Sequence, residues 1–281
     1  MSYMIIGVHG LANKPPRDVH TQDWIKAIKE GLERNFSFNP DNISLELAYW
    51  ADVRHTTPLN SDNEPYIPTP PDELIKKYRG NWLDELKTHS FDIAGDAMKN
   101  TRAWFGQGPA GNAILNSKLS DLREYHNNPD VRITLRKIVK DAIKARKDKR
   151  ITVIAHSMGS IIAYDAMREL GNEDITCNVQ NFITIGSPLG LPIVAGYIRK
   201  EWKNLRTPSI VRKWINLADR RDPVAFDTHL NDDYEPNDAG VKIQDDLIIN
   251  NYVDPQGKHK HHKIYGYLRC PEMSELIRGI I

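Results

Sequence analysis

The chain has 281 residues, with 38 lysines and arginines against 37 aspartates and glutamates, and only two cysteines, Cys177 and Cys270. Charges this evenly balanced give no basis for binding nucleic acid, which rests on a basic surface. Two cysteines are too few for a disulfide framework, so a reducing, cytoplasmic setting is expected.

No run of about 18 consecutive apolar residues is available to span a bilayer. The apolar start, Met4 to Val8, lacks the basic region and the length of a signal peptide and reads as a strand. Peripheral contact with a membrane surface stays open. The length fits one large α/β domain, 1–281, and no composition shift marks a boundary.

Tyr3 to Val8 is a nearly continuous apolar run, as expected for a strand buried on both faces of a parallel sheet. A loop rich in Asn, Lys and Pro follows, then residues 21–35 carry Trp24, Ile25, Ala27, Ile28 and Leu32 at helical spacing, with Thr21 or Asp23 as candidate caps. Residues 43–53 alternate and are rich in β-formers, predicting a second strand. Residues 54 to about 130 break the rhythm with clustered prolines, amphipathic stretches around 72–87 and 91–105, and then several glycines. A structureless loop of that length is improbable, so a helical cap or lid insertion is expected there, with Trp82, Trp104 and Phe105 in it. Aromatics at such spacing more often pack on a core than face a substrate.

The alternation then resumes. A helix is predicted over 131–148, a strand over 151–155, a helix from about 159 to 170 and a strand over 179–185. A short helix 191–203, strands 210–217 and 243–249, and a terminal helix 271–280 complete the chain. Repeated strand and helix with short connections implies an α/β fold, a mostly parallel sheet with helices on both faces and ligands at the carboxyl ends of its strands.

One segment carries chemistry. Ile151-Thr-Val-Ile-Ala155 is a buried strand, His156-Ser157-Met158 a turn, and Gly159-Ser160 opens a helix. A serine hydroxyl attacks only when exposed to a base and when the oxyanion it creates is stabilised. A sharp strand-to-helix turn between small residues, here Ala155 and Gly159, meets both needs. The segment resembles the nucleophile elbow of the α/β-hydrolase superfamily, and the chain is similar to its compact lipases and serine esterases. It departs from the strict pattern in having alanine where the first glycine stands.

The resemblance implies further residues. Triad members in that superfamily follow the order Ser, Asp or Glu, His. Asp222, before Pro223-Val224 and after the 210–217 strand, resembles the acid position, with Asp219 as alternate. In Lys258-His-Lys-His-His-Lys263, His262 resembles the histidine position, with His261 as alternate. Val8-His9-Gly10-Leu11 resembles the His-Gly-Leu oxyanion loop of bacterial lipases, which makes the backbone N–H groups of Leu11 and Met158 the implied oxyanion donors. His9 and His156 would orient backbone, and Ser187 in Gly186-Ser187-Pro188 would be structural.

The implied function is hydrolysis of a small-molecule or lipid ester through an acyl-enzyme on Ser157, with no metal and no organic cofactor. The cap aromatics and the resemblance to lipases suggest an apolar acyl chain. The same triad would serve a thioesterase, an acyltransferase or a peptidase, and the same fold a non-catalytic scaffold that binds a ligand or a partner. Plainer readings stand beside each part: Asp-Pro begins turns and Arg220 or Arg221 would pair with Asp222 at the surface, while the histidine-rich run would be a solvated loop or a weak metal patch.

Overall fold

Six short strands, all parallel, form the centre of a computed structural model that describes residues 2–60, 65–80, 122–173, 176–225 and 227–281. In chain order these are β1 (Tyr3–Val8), β2 (Leu45–Leu47), β3 (Arg150–His156), β4 (Val179–Ile185), β5 (Trp214–Ala218) and β6 (Ile243–Leu247), arranged in the sheet as β2-β1-β3-β4-β5-β6. The helices are α1 (Arg17–Phe36), α2 (Pro129–Lys144), α3 (Met158–Asn172), α4 (Pro192–Trp202), α5 (Ile264–Arg269) and α6 (Pro271–Arg278).

The period-2 alternation of the strands splits their side chains between two cores. Ile6, Val8, Val153, Ala155, Phe182 and Trp214 pack under α2, α3 and α4, while Ile5, Ile154, Ile183, Ile185, Ile215 and Leu217 pack under α1, α5 and α6. From β1 the chain steps outward to β2, then returns to the other side of β1 as β3 and continues to β6. The strand order therefore reverses between β1 and β3. A reversal of that kind opens a crevice at the carboxyl ends of the strands, where the connections diverge. The loop after β1 and the turn after β3 meet there, since Val8 pairs with Ala155.

The strand expected over 210–217 begins only at Trp214, and three further expectations differ from the structure. Helix α1 begins at Arg17, four residues before Thr21, because Pro15-Pro16 sets the backbone and His20 N–H donates to Pro16 O. Neither suggested cap acts as one: Thr21 Oγ1 donates to Arg17 O, and Asp23 pairs with Lys26 within the helix. The second strand is only Leu45–Leu47, although 43–53 alternates throughout. Beyond Ala48 the backbone leaves the sheet, since Trp50 N–H donates to His9 Nε2 and its indole to His9 O, and a 3-10 turn Ala51–Val53 follows.

The third difference lies in the insertion. Residues 65–80 hold no helix and run as an extended strap across α1 and α6. Glu30 accepts from Thr69 N–H, Arg34 donates to the carbonyls of Thr69, Pro70 and Pro71, and Tyr78 N–H reaches Glu272. A proline-rich run with few free N–H groups is satisfied by side chains from a neighbouring helix instead of by its own turns. The remaining stretch, 81–121, with Trp82, Trp104 and Phe105, lies outside the described residues.

On the α2–α4 face one buried guanidinium ties the layer together. Arg136 of α2 donates to Asp165 of α3 at 2.6 Å, to Glu201 of α4 at 2.5 and 2.8 Å, and to Tyr125, whose hydroxyl also reaches Asp165. Trp202 completes the coordination of Asp165 at 2.8 Å. Burial pushes the Asp165 carboxyl up, and Arg136 with the Tyr125 and Trp202 hydrogen bonds draws it only partly back. Removing the cation leaves a buried carboxylate uncompensated, so Arg136→Ala is expected to cost about 3–5 kcal/mol. Urea unfolding of the variant measures this, and a loss below about 1 kcal/mol would put the network at the level of a surface pair.

Candidate functional site

Ser157 sits between β3 and α3 with φ 55 and ψ −132, a conformation that side-chain-bearing residues rarely adopt. Such a turn costs on the order of 1–3 kcal/mol and persists where its surroundings over-determine it. Ser157 N–H donates to Ile185 O at 3.1 Å, and its carbonyl accepts the Ser160 hydroxyl at 2.5 Å. With its proton so committed, the Ser160 oxygen accepts from Ser187 Oγ at 2.8 Å, so Gly186-Ser187-Pro188 braces the turn from the end of β4. Gly159 makes the turn possible: a Cβ there would lie 2.4 Å from Val8 O and 2.5 Å from His9 O. The alanine at 155 costs nothing, being fully buried among apolar neighbours and paired with Val8 and Thr184.

The structure brings Ser157, His262 and Asp222 into one hydrogen-bonded line. His262 Nε2 lies 3.0 Å from Ser157 Oγ and its Nδ1 lies 2.8 Å from Asp222 Oδ2. An ionised carboxylate only accepts, so Nδ1 carries a proton toward Asp222 and Nε2 faces the serine hydroxyl. Asp222 is buried and also accepts from Tyr267 Oη at 2.7 Å and Val224 N–H at 2.8 Å. Burial alone would raise its carboxyl, but the His262 charge and the hydrogen bonds from His262, Tyr267 and Val224 outweigh it and hold it below the usual range.

The alternates stand elsewhere with other partners. The Asp219 carboxylate accepts from Arg221 Nε at 3.0 Å, Arg221 Nη2 at 2.7 Å and Asn250 N–H at 2.6 Å. Arg221 thus pairs with Asp219 and leaves Asp222 to His262 and Tyr267. His261 turns its Nδ1 to Asn250 O at 3.2 Å.

Sequence reasoning missed Asn250 and Tyr267, and it named Gly186 only as part of a structural Gly-Ser-Pro segment. Asn250 is fully buried, and its amide donates at 2.8 Å to the carbonyls of both His261 and Lys263, pinning the residues that flank His262. His156 Nε2 donates to the His262 carbonyl itself at 3.0 Å. At Gly186 φ is +52, and a Cβ would press within 2.8 Å of Asp222 Oδ2 and 3.3 Å of His262 Nδ1. Glycine there keeps open the space that the Asp222–His262 contact occupies. The pairing of β4 with β5 places Gly186 beside the loop that carries Asp222.

The loop after β1 has its own fixed tautomer. His9 Nε2 accepts from Trp50 N–H at 3.1 Å, so His9 Nδ1 carries the proton and donates it to Gly10 O at 2.9 Å. The planar trans peptide then sends Leu11 N–H the opposite way from the Gly10 carbonyl. Met158 is the first residue of α3, and its N–H is among the leading helix donors that lack an intrahelical partner. Leu11 and Ser157 both line a cleft of about 1010 Å³ whose far wall is the 252–265 segment, including the histidine-rich run. Among the described residues no group of three or more His, Cys, Asp or Glu side chains is placed to hold a metal ion.

A parallel sheet with helices on both faces, and a strand-turn-helix serine at the reversal of its strand order, fit the α/β-hydrolase fold. Residues 107–188 match a family described as an alpha/beta hydrolase of unknown function, DUF900, and that stretch spans β3, the Ser157 turn, α3, β4 and Gly186-Ser187-Pro188. No curated protein matches the chain. Among the described residues no helix is long and apolar enough to cross a membrane.

Burial keeps two cleft histidines neutral. His9 is held well below its ordinary range by burial and by Lys14, and His20 is lowered to about 3 by burial, Lys14 and Lys263. An unfolded histidine takes up its proton near pH 6.5 while these do not, so stability is complete above that pH and falls as pH drops toward 5. Each contributes a slope of up to about 1.4 kcal/mol per pH unit. His20→Gln, whose amide oxygen can replace Nε2 as acceptor for Trp24 Nε1, should remove one such slope when urea unfolding is compared at pH 7, 6 and 5. An unchanged slope would mean that His20 is charged in the folded protein.

Proposed function

We propose that the protein is a serine hydrolase that cleaves carboxylic esters through an acyl-enzyme on Ser157. The observation that carries this reading is the unbroken line from Ser157 Oγ through His262 to the buried Asp222. In the first step Ser157 Oγ bonds to the ester carbonyl carbon as His262 Nε2 takes its proton. The tetrahedral oxyanion is held by the N–H groups of Leu11 and Met158, and collapse breaks the ester C–O bond as His262 protonates the departing alcohol. Water then repeats the sequence on the acyl-enzyme and releases the acid. Asp222 keeps the tautomer and stabilises the imidazolium.

Wild-type protein should react with a fluorophosphonate probe, and Ser157→Ala should not. Asp222→Asn should lower kcat by about 10⁴-fold, because it permits the wrong tautomer. A folded wild type that fails to label would overturn the reading in favour of a non-catalytic scaffold. Cys177 and Cys270 are unpaired and lie in cores on opposite faces of the sheet, which supports a reducing, cytoplasmic setting.

The resemblance to lipases extends the proposal to an acyl ester with an apolar chain, including lipid esters met at a membrane surface. Rates on p-nitrophenyl esters of increasing chain length test it, with kcat/KM expected to rise from short to medium chains. Activity confined to the shortest esters, with none on longer acyl esters or phospholipids, would remove the lipid part and leave the hydrolase.

A further inference from the structure

We infer that Tyr267 is a positioning residue of this site: its hydroxyl shares Asp222 Oδ2 with His262 and so limits how tightly the Asp222–His262 pair holds a proton. This rests on the serine-hydrolase reading and adds to it a control on the base.

The donors are unevenly divided over the carboxylate. Asp222 Oδ1 accepts from Val224 N–H at 2.8 Å, while Oδ2 takes both His262 Nδ1 at 2.8 Å and Tyr267 Oη at 2.7 Å. The Asp222 side chain and Tyr267 are fully buried, so bulk water does not stand in for either donor. The direction of the phenolic proton is fixed as well. Tyr267 Oη accepts from Asp219 N–H at 3.2 Å. An amide N–H only donates and an ionised carboxylate only accepts, so the proton of Tyr267 points to Asp222. Burial, and then the Asp222 charge, push the phenol well above its ordinary range, which keeps it a neutral donor.

The surroundings are shaped for this convergence. His262 and Tyr267 stand five residues apart, one before α5 and one within it, and reach the same oxygen from two sides. A Cβ at Gly186 would lie 2.8 Å from Asp222 Oδ2 and 3.2 Å from Tyr267 Cε2, so glycine leaves room for both. A Cβ at Gly266 would lie 1.7 Å from Asn250 Oδ1. Asn250, which pins the residues flanking His262, therefore also seats the helix that carries Tyr267. The ring itself packs in the apolar core with Ile185, Ile215 and Leu217. That core would be filled as well by phenylalanine, and a buried hydroxyl is a cost unless it is hydrogen-bonded.

A donor to a carboxylate stabilises its ionised form and withdraws charge from the oxygen it meets. The imidazole and the carboxyl titrate as a coupled pair, so the sign does not depend on which of them holds the added proton. Loss of the Tyr267 donor leaves more charge on Oδ2 and raises the proton affinity of the pair in either case. Other titratable groups stand around it: Asp219 and Arg221, bound to each other, His156, whose ring centroid is 4.7 Å from that of His262, and His261 and Lys263 beside His262 in the chain. A substitution at Tyr267 leaves all of them in place, so a shift between wild type and variant reports the hydroxyl.

The acid limb of kcat/KM for p-nitrophenyl acetate against pH gives the midpoint of the pair in the free enzyme. In Tyr267→Phe, with its fold checked by circular dichroism, that midpoint should rise by roughly half to one pH unit. Replacing Tyr267 by 3-fluorotyrosine, a more acidic phenol of nearly the same shape and a stronger donor, should lower it. A tyrosine that only filled space would give no such opposed shifts. If the phenylalanine variant does not fold, the fluorotyrosine protein decides alone. A midpoint that stays in place or moves the other way in either folded variant would overturn the inference.

If no ester is turned over, the hydrolase reading fails separately, and an NMR titration of the histidines decides Tyr267. The His262 signal is assigned by its loss in His262→Gln. A higher midpoint for it in Tyr267→Phe supports the role, and an unchanged one overturns it.

Discussion

The close approach of two backbones at the carboxyl ends of β1 and β3 is the constraint on which the site depends. Gly159 passes so near Val8 O and His9 O that no Cβ fits, which seats the start of α3 against the loop after β1. That contact forces the chain through the strained turn at Ser157 and sets the serine, the N-terminus of α3 and the His9-Gly10-Leu11 loop around one point. The strain is retained because parallel pairing of β3 with both β1 and β4 leaves the turn no room to relax, and because the Ser187–Ser160–Ser157 hydroxyl chain holds its carbonyl. A serine at the same position on a slack loop would have the same chemistry and no fixed direction.

The proposed chemistry also requires a base whose tautomer does not wander. His262 lies on a connection, and connections are normally the mobile part of a fold. Here three fixed groups restrain it: His156 on its own carbonyl, Asn250 on the carbonyls at either side, and Asp222 on its ring. Asp219 contributes at one remove, because it fixes Asn250 N–H and Arg221. The two aspartates three residues apart therefore divide the work. Asp222 N–H donates to Asp219 O, so the same short turn aims one carboxylate at the imidazole and the other at the frame that carries it.

Much of this was legible in the sequence because it is periodic or locally coded. The central strands of the parallel sheet are short, largely apolar runs, and the Ser157 turn is announced by small residues between a strand and a helix. Where two elements compete for the same backbone, the reading failed. Residues 43–53 alternate as a strand should, yet Trp50 is drawn off to His9, a partner 41 residues away that no local pattern reveals. Helix α1 starts at a proline pair and not at Thr21 or Asp23, since a pre-set backbone serves in place of a side-chain cap. The choice between Asp219 and Asp222 was open for the same reason: both are acids in one loop, and only the position of Asn250 and Tyr267 tells them apart.

The charge balance shows how a whole-chain quantity can hide a local one. Nearly equal numbers of basic and acidic residues argue against a polyanionic partner for the surface as a whole, and that argument concerns long-range fields. It does not bear on a cleft, where a few side chains on a rigid loop act over distances shorter than the screening length. The 258–263 run reads in sequence as a solvated loop, because its neighbours along the chain are polar and its neighbours in space are unknown. Folding sets it along the cleft, with His262 inside it facing Ser157. The run therefore belongs to the cleft through His262, whose imidazole lies 3.0 Å from Ser157 Oγ, a placement its polar composition does not reveal.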